Sequence, residues 1–232
     1  IKELLNKSMQ EQKKLREYEL ALIQAQIKPH FLYNSLELIY TLCGMAGAKE
    51  AQTATKSLAD FYRIALSKGQ EVISLEEEMK NVNDYLNIQR YRYCDVFDYD
   101  IQIPEEIKKS KILKLTLQPL IENSIYHGLK TKGSYGRIQV KGYLEDQKVH
   151  VVVSDDGVGM SRERIEEILD DRHPEAVKES FGLRSVDERL RLFFGEQYGL
   201  KIESEPGRGT VVNITIPYRP EGRSYAENYD CG

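Results

Sequence analysis

From Ile1 to about Met45 the apolar residues recur every three or four positions, without a glycine, which is the period of a helix. Leu15, Tyr18, Leu22 and Ala25 are spaced like a coiled-coil seam. Ser8 and Glu11 interrupt that seam upstream, so a continuous coiled coil is compatible with the pattern but not required by it. Further on, Leu32, Leu36, Ile39 and Cys43 form one stripe, while Gln26, His30, Asn34 and Glu37 fall on the opposite side. Pro29 cannot donate to the carbonyl of Ala25 and its ring crowds that turn, so the helix should bend or loosen beside His30. Gly44 and Gly47 supply a break, and Ala54, Leu58, Phe61 and Ala65 then mark a second amphipathic helix. A short connection favours antiparallel neighbours, so residues 1–68 read as a helical hairpin. Two helices cannot enclose a core alone. A second copy would complete a four-helix bundle, which predicts a homodimer.

Ser74 followed by Glu77 has the spacing of a capping box and should open a third helix running to about Arg92, with Met79, Val82 and Leu86 on one face. The pattern then changes. Residues 96–103 alternate as a strand does, and Pro104 closes the run. To Tyr218 the chain reads as a helix near 116–129, strands near 136–144 and 148–155, helices near 161–170 and 183–195, and strands near 199–204 and 210–217. Strands paired between helices predict an α+β sandwich with helices on one face of a mixed sheet. The expected organisation is a helical unit over 1–93, an α/β unit over 94–219 with the boundary at Tyr93–Asp95, and a polar, unstructured tail over 220–232.

Composition narrows the functional classes. The 232 residues carry a formal net charge of −4 and no long basic patch, which argues against nucleic acid as the main ligand. No apolar run approaches the roughly 20 residues of a membrane span. Cys43, Cys94 and Cys231 are odd in number and widely spaced, suiting neither a disulfide framework nor a zinc site. The chain opens at Ile1 inside a charged helical pattern, so it reads as a fragment of something longer.

An isolated helical histidine such as His30 is usually just solvated or packed. The picture changes because the second half carries motifs for a nucleotide. In Leu120-Ile121-Glu122-Asn123-Ser124-Ile125-Tyr126-His127-Gly128, Asn123 and His127 lie one helical turn apart. An amide oxygen suits Mg²⁺, which binds few protein ligands and keeps phosphate and water oxygens for the rest. The strand Val149–Ser154 runs into Asp155-Asp156-Gly157-Val158-Gly159. Asp155 is in phase with Val149, Val151 and Val153, so its carboxylate should emerge on the core side and can accept from the exocyclic amine of adenine. Gly157 and Gly159 would let the backbone pass close to a flat ring. Ser180-Phe181-Gly182-Leu183-Arg184 is expected to open a helix whose free N–H groups attract phosphate. Ser204-Glu205-Pro206-Gly207-Arg208-Gly209-Thr210 is a glycine-rich turn feeding the last strand. Each motif alone also fits an ordinary turn or solvated face. Their order is the specific signal.

Together with Gln26-Ile27-Lys28-Pro29-His30-Phe31-Leu32-Tyr33-Asn34, these motifs resemble the cytoplasmic part of a sensor histidine kinase of the LytS/YesM type, over about 18–218. The resemblance implies a dimeric helical hairpin carrying a Bergerat-type ATP-binding domain. By it, His30 is the phosphoryl acceptor. From the spacing itself, Glu37, two helical turns along the same face, is a candidate acidic companion only through bending at Pro29, and Asn34 is a candidate on that face as well. Asn123 is the Mg²⁺ ligand, and Asp155, Gly157 and Gly159 bind adenine. His127, Gly182, Leu183, Gly207, Gly209 and Thr210 complete the ATP site. ATP and Mg²⁺ are the implied cofactors, and a response regulator accepting the phosphoryl group on aspartate is the implied partner. The membrane would enter only through an upstream sensor segment absent here. Tyr126 departs from the lysine that many relatives carry there. Two rivals stand beside this reading: an ATPase of the same superfamily, and a nucleotide-binding dimeric scaffold without transfer. The ATPase needs a carboxylate one turn before Asn123, where this chain has Pro119, and Glu122 points a quarter-turn or more away. The charged stretch 160–181 would form a lid over the nucleotide.

Overall fold

The structure is a computed structural model and describes residues 29–66, 71–169 and 177–218. The seam proposed over 15–25, the turn of helix before Pro29 and the tail after 219 lie outside these residues. Two compact units divide between Leu66 and Ser67.

The first unit is an antiparallel helical pair, α1 (Pro29–Met45) and α2 (Lys49–Ala65), joined through Gly47 in a left-handed conformation. Leu36 is buried in the pair, and the Tyr33 hydroxyl donates to the Tyr62 carbonyl at 3.1 Å. Of the expected stripe, Leu32, Leu36 and Cys43 turn inward, but Ile39 is 46% exposed. It lies at the edge of the stripe, towards a second apolar face that the sequence reading missed. Phe31, Leu38, Leu42 and Met45 of α1 are 74%, 60%, 53% and 81% exposed. Their spacing of seven, four and three residues is that of a heptad seam.

In the second unit a short strand β1 (Val72–Ser74) leads into helix α3 (Leu75–Arg92). The capping box is present: the Ser74 hydroxyl accepts from the Glu77 N–H, and the Ser74 N–H donates to the Glu77 carboxylate at 2.8 Å. Strand β2 (Phe97–Gln102), the single turn α4 (Glu105–Lys108) and strand β3 (Lys111–Leu113) follow. Next come helix α5 (Gln118–Asn123), continuing as a π-helical turn over Ser124–Leu129, then strands β4 (Gly136–Glu145) and β5 (Lys148–Asp155). Helices α6 (Arg162–Leu169) and α7 (Val177–Phe194) precede strands β6 (Gly199–Glu205) and β7 (Gly209–Pro217). The main sheet runs β2-β4-β5-β7-β6, with β2 parallel to β4 and the other neighbours antiparallel, while β1 and β3 form a separate antiparallel pair. The mixed α+β sandwich expected from the pattern is therefore present.

One boundary moves. Helix α3 was expected to belong with the hairpin, but it packs in the second unit. The reason is its face of Leu75, Met79, Val82, Tyr85 and Leu86, all buried. The strand β1 preceding it is paired to β3 in the same unit, so α3 is anchored there from its first turn.

Register places one side of the sheet in the core. Val149, Val151 and Val153 of β5 are buried with Val140 of β4 and Val212, Ile214 and Ile216 of β7 beside them. Leu120, Ile121, Ile125, Leu183 and Leu190 from the helices complete this layer. Burying a side chain of this size contributes about 1.5–3 kcal/mol each. The opposite side shows polar positions, among them His150 stacked on Tyr143 with ring centroids 4.8 Å apart.

Candidate functional site

Strand alternation carries Asp155 to the core side at the very end of β5, as expected, and it is buried. Its Oδ2 accepts from the Ser124 hydroxyl at 2.8 Å, and its Oδ1 accepts from the Gly157 N–H at 2.9 Å. Burial pushes this carboxyl above the usual range, and the donors from Ser124, Gly157 and Thr210 pull it back. A carboxylate offers about four acceptor sites, so capacity remains for an incoming amine.

The glycines around Asp155 do something the sequence reading did not foresee. Gly159 and Gly209 have φ of +67° and +91°, and a Cβ on either would collide with backbone, the Glu205 carbonyl for one and the Asp155 carbonyl for the other. A Cβ at Gly157 would stand 2.5 Å from the Gly128 carbonyl carbon. These residues let the strand end, the π-helical turn and the β6–β7 turn close on one another. The packing of these segments requires glycine there whether or not a ring is bound. Gly207 sits in the open turn with φ of +78°, and Thr210 is buried opposite Asp155 in the β5–β7 register. Ser204 ties this corner together: its hydroxyl bridges the Met160 N–H, the Gly209 carbonyl and the Thr210 hydroxyl.

Asn123 is the last residue of α5, half-buried, and its carboxamide makes no hydrogen bond among the described residues. His127 is exposed on the π-helical turn. The widened turn has a consequence for the site, since it brings Gly128 against Asp155 while Ser124 still donates to it. Such insertions recur at functional positions. Tyr126 does not face open solvent: its ring meets Tyr93 edge-on, with Lys130 over both rings. Glu122 accepts from the Gln118 amide at 2.8 Å and from the Tyr85 hydroxyl.

One expectation is corrected. Gly182 and Leu183 were placed at a helix start, but α7 begins at Val177. Their N–H groups lie beyond the four free donors of the first turn, within the helical ladder. Gly182 is instead the close point of α7 to α5, where a Cβ would meet the Pro119 Cβ at 3.2 Å, and Leu183 is buried in the core. Of the expected lid, residues 162–169 form α6 and 170–176 lie outside the described residues.

In the helical unit His30 is exposed on the first turn of α1, and its Nδ1 lies 3.3 Å from the Asn34 amide nitrogen. Glu37 is not brought to it. Seven residues of helix separate the two by about 10 Å. A bend at Pro29 precedes both and cannot shorten that distance. Glu37 instead lines a groove of about 300 Å³ with Tyr33, Tyr40, Lys56, Asp60 and Arg63.

Comparison with known proteins bears on both units. Residues 18–97 match the family model for histidine kinases, and residues 108–220 match that for histidine kinase-, DNA gyrase B- and HSP90-like ATPases. The chain is 37% identical over 221 residues to the sensor histidine kinase YesM of Bacillus subtilis, covering 95% of this chain and 37% of the relative. It is 31% identical over 214 residues to the sensor protein kinase HptS of Staphylococcus aureus, covering 89% of this chain and 39% of the relative. The chain belongs to the sensor histidine kinases. It is similar to the sensor histidine kinase BtsS of Escherichia coli as well, at 30% identity over 207 residues, 89% of this chain and 35% of that protein. The chain thus spans little more than a third of the length of these relatives. Among solved structures, the histidine kinase domain of the Erythrobacter litoralis EL346 blue-light activated histidine kinase aligns over 90% of this chain and 94% of that one, at 16% identity and a TM-score of 0.48. The first family model ends at residue 97, close to the boundary drawn from the pattern, whereas packing divides the chain earlier.

The ATPase family match over residues 108–220 implies that this unit binds ATP. Sequence reasoning missed Ser124, Gly128 and Ser204. Ser124 left a signal, since it stands in phase with the buried Leu120 and Ile121, where a polar side chain needs a partner.

Proposed function

We propose that this chain is the catalytic core of an autophosphorylating kinase, moving the γ-phosphoryl group of ATP to His30 and then to an aspartate of a response regulator. The observation that carries the reading is the Asp155 corner: a buried carboxylate at a strand end, held by Ser124 and Gly157 and ringed by close-packed glycine backbone. Adenine fits there, its exocyclic amine donating to Asp155. Gly207, Gly209 and Thr210 form the neighbouring turn, and His127 flanks the site. Asn123 fits Mg²⁺ through its amide oxygen, which has no partner among the described residues. Among the described residues no three His, Cys, Asp or Glu side chains gather to hold a metal, so phosphate oxygens and water would complete the shell. When bound, that ion would neutralise phosphate charge.

The nucleophile is the His30 ring nitrogen that carries no proton. The two ends of an amide occupy the same volume. With Asn34 turned so that Oδ1 accepts from Nδ1–H, the outward Nε2 keeps its lone pair. That nitrogen forms the P–N bond as the bond from γ-phosphorus to the β–γ bridging oxygen breaks, and ADP leaves with the electron pair. Hydrolysis is disfavoured by the residues on α5: Pro119 offers no base, and Glu122 is committed to Gln118 and Tyr85.

The helical hairpin, with its phosphoacceptor, dimerises through the Phe31, Leu38, Leu42 and Met45 face, and the second unit binds the nucleotide. In the cell this core lies on the cytoplasmic side of a membrane sensor. No helix among the described residues is long and apolar enough to cross a membrane.

Incubation with ATP labelled at the γ-phosphate tests the proposal. Acid-labile label on the protein, lost in His30→Gln with ATP affinity unchanged, is the expected result. Free phosphate without protein label would mean an ATPase, and label persisting in His30→Gln would move the acceptor elsewhere, with His127 next in line.

A further inference from the structure

Helix α3 carries a buried carboxylate that the mechanism above does not use. Glu78 is fully enclosed. Its Oε1 accepts from the Leu117 N–H at 2.9 Å and its Oε2 from the Leu115 N–H at 3.1 Å, and the Thr116 N–H also reaches it. Three successive backbone donors converging on one anion form a nest. Leu115 pays a conformational cost there, with φ of +59°, a region that L residues with a branched side chain avoid. The carboxylate holds it in place.

This turn opens helix α5, whose last residue is Asn123 and whose continuation presents Ser124 to Asp155. Two other elements fasten to it. Arg189 of α7 donates to the Lys114 carbonyl at 3.1 Å, and the Lys114 N–H donates to the Glu71 carbonyl at 2.8 Å, just before β1. Glu78 is thus the centre of a junction between α3, α5 and α7.

We propose that Glu78 is a positioning residue of the nucleotide site: by gripping the 115–117 turn it fixes the axis along which α5 offers Asn123 and Ser124 to bound ATP. The proposal rests on the nucleotide-binding reading above. It also has a pH signature. Burial pushes the Glu78 carboxyl from 4.5 up to about 7, against the pull of the turn's N–H groups and of Arg189. The charged groups around it are Arg189 on α7 and Lys114 at the end of β3, with Glu71 beyond Lys114. Protonation turns one oxygen into a donor facing an N–H, so the grip loosens below about pH 7. Stability runs the other way. The folded state binds the proton more tightly than the unfolded chain, so this group's contribution is greatest below 4.5 and is lost as pH rises through about 7. A residue that only held the fold together would move stability and ATP affinity in the same direction.

Calorimetric titration of the full chain with ATP and Mg²⁺, wild type against Glu78→Gln, tests this between about pH 6 and about pH 8. The ratio of the two dissociation constants cancels the ligand's own titration. It should lie near one at the acid end and reach about tenfold at the alkaline end, since small misplacements of site groups are costly. The wild-type thermal midpoint should meanwhile fall. A ratio that stays flat while wild type binds ATP overturns the proposal. Wild type that binds no ATP at any pH sinks the nucleotide reading instead. If Glu78→Gln does not fold, the wild-type amide resonances decide. Those of residues 115–117 and the Asn123 side chain should titrate together near pH 7, and an Asn123 signal that stays still while the turn titrates overturns the proposal.

Discussion

The two units bury their apolar residues in opposite ways. In the α/β unit a continuous layer from the sheet and helices is fully enclosed, Leu120, Ile125, Val140, Val151 and Ile214 among it. Among the described residues of the helical unit Leu36 is the buried apolar one, while Phe31, Leu38, Leu42 and Met45 stand in the open. One unit closes on itself and the other leaves an apolar seam exposed. The chemistry follows the same division. Asp155 is enclosed and hydrogen-bonded, which suits the fixed acceptor proposed for it, whereas His30 is exposed, which suits the proposed receipt of a phosphoryl group.

Substitutions can break that contrast from either side. The largest effect is expected from Gly209→Ala, where a Cβ meets the Asp155 carbonyl and the backbone is left-handed. It should cost the α/β unit about 3–4 kcal/mol, seen in its chemical denaturation midpoint, and leave self-association unchanged. If the dimer fell apart as well, the units would not be independent. Next comes Leu38→Glu with Leu42→Glu, which puts charges into the exposed seam. About 3 kcal/mol of lost association, roughly a hundredfold in the dimer constant by ultracentrifugation, should accompany an unmoved ATP affinity. An unaltered dimer would show that another face mediates pairing. The smallest is Ser124→Ala, which removes one donor from buried Asp155 but leaves the Gly157 N–H in place. About 1.5 kcal/mol of stability should go, with the helical unit untouched.

The sheet, the capping box at Ser74 and the inward phase of Asp155 were all legible because they depend on local periodicity, two for strands and three to four for helices. His30 and its Asn34 neighbour were legible for the same reason, since they share one helix face. The pattern could not show that α3 leaves the hairpin, because an amphipathic helix does not say which neighbour covers its apolar side. Nor could it start α7 at Val177, since the residues before Gly182 carry no strong stop signal and the packing of Gly182 on Pro119 is a tertiary contact.

Along the chain alone, then, the sequence set the elements, their faces and the residues with chemistry to offer. Tertiary structure decided which backbones touch: Gly128 against Gly157, Gly159 against Glu205, Gly209 against Asp155, and Glu78 in the turn before α5. Periodicity is a property of neighbours a few residues apart, whereas a close approach between segments tens of residues apart depends on how every intervening element packs.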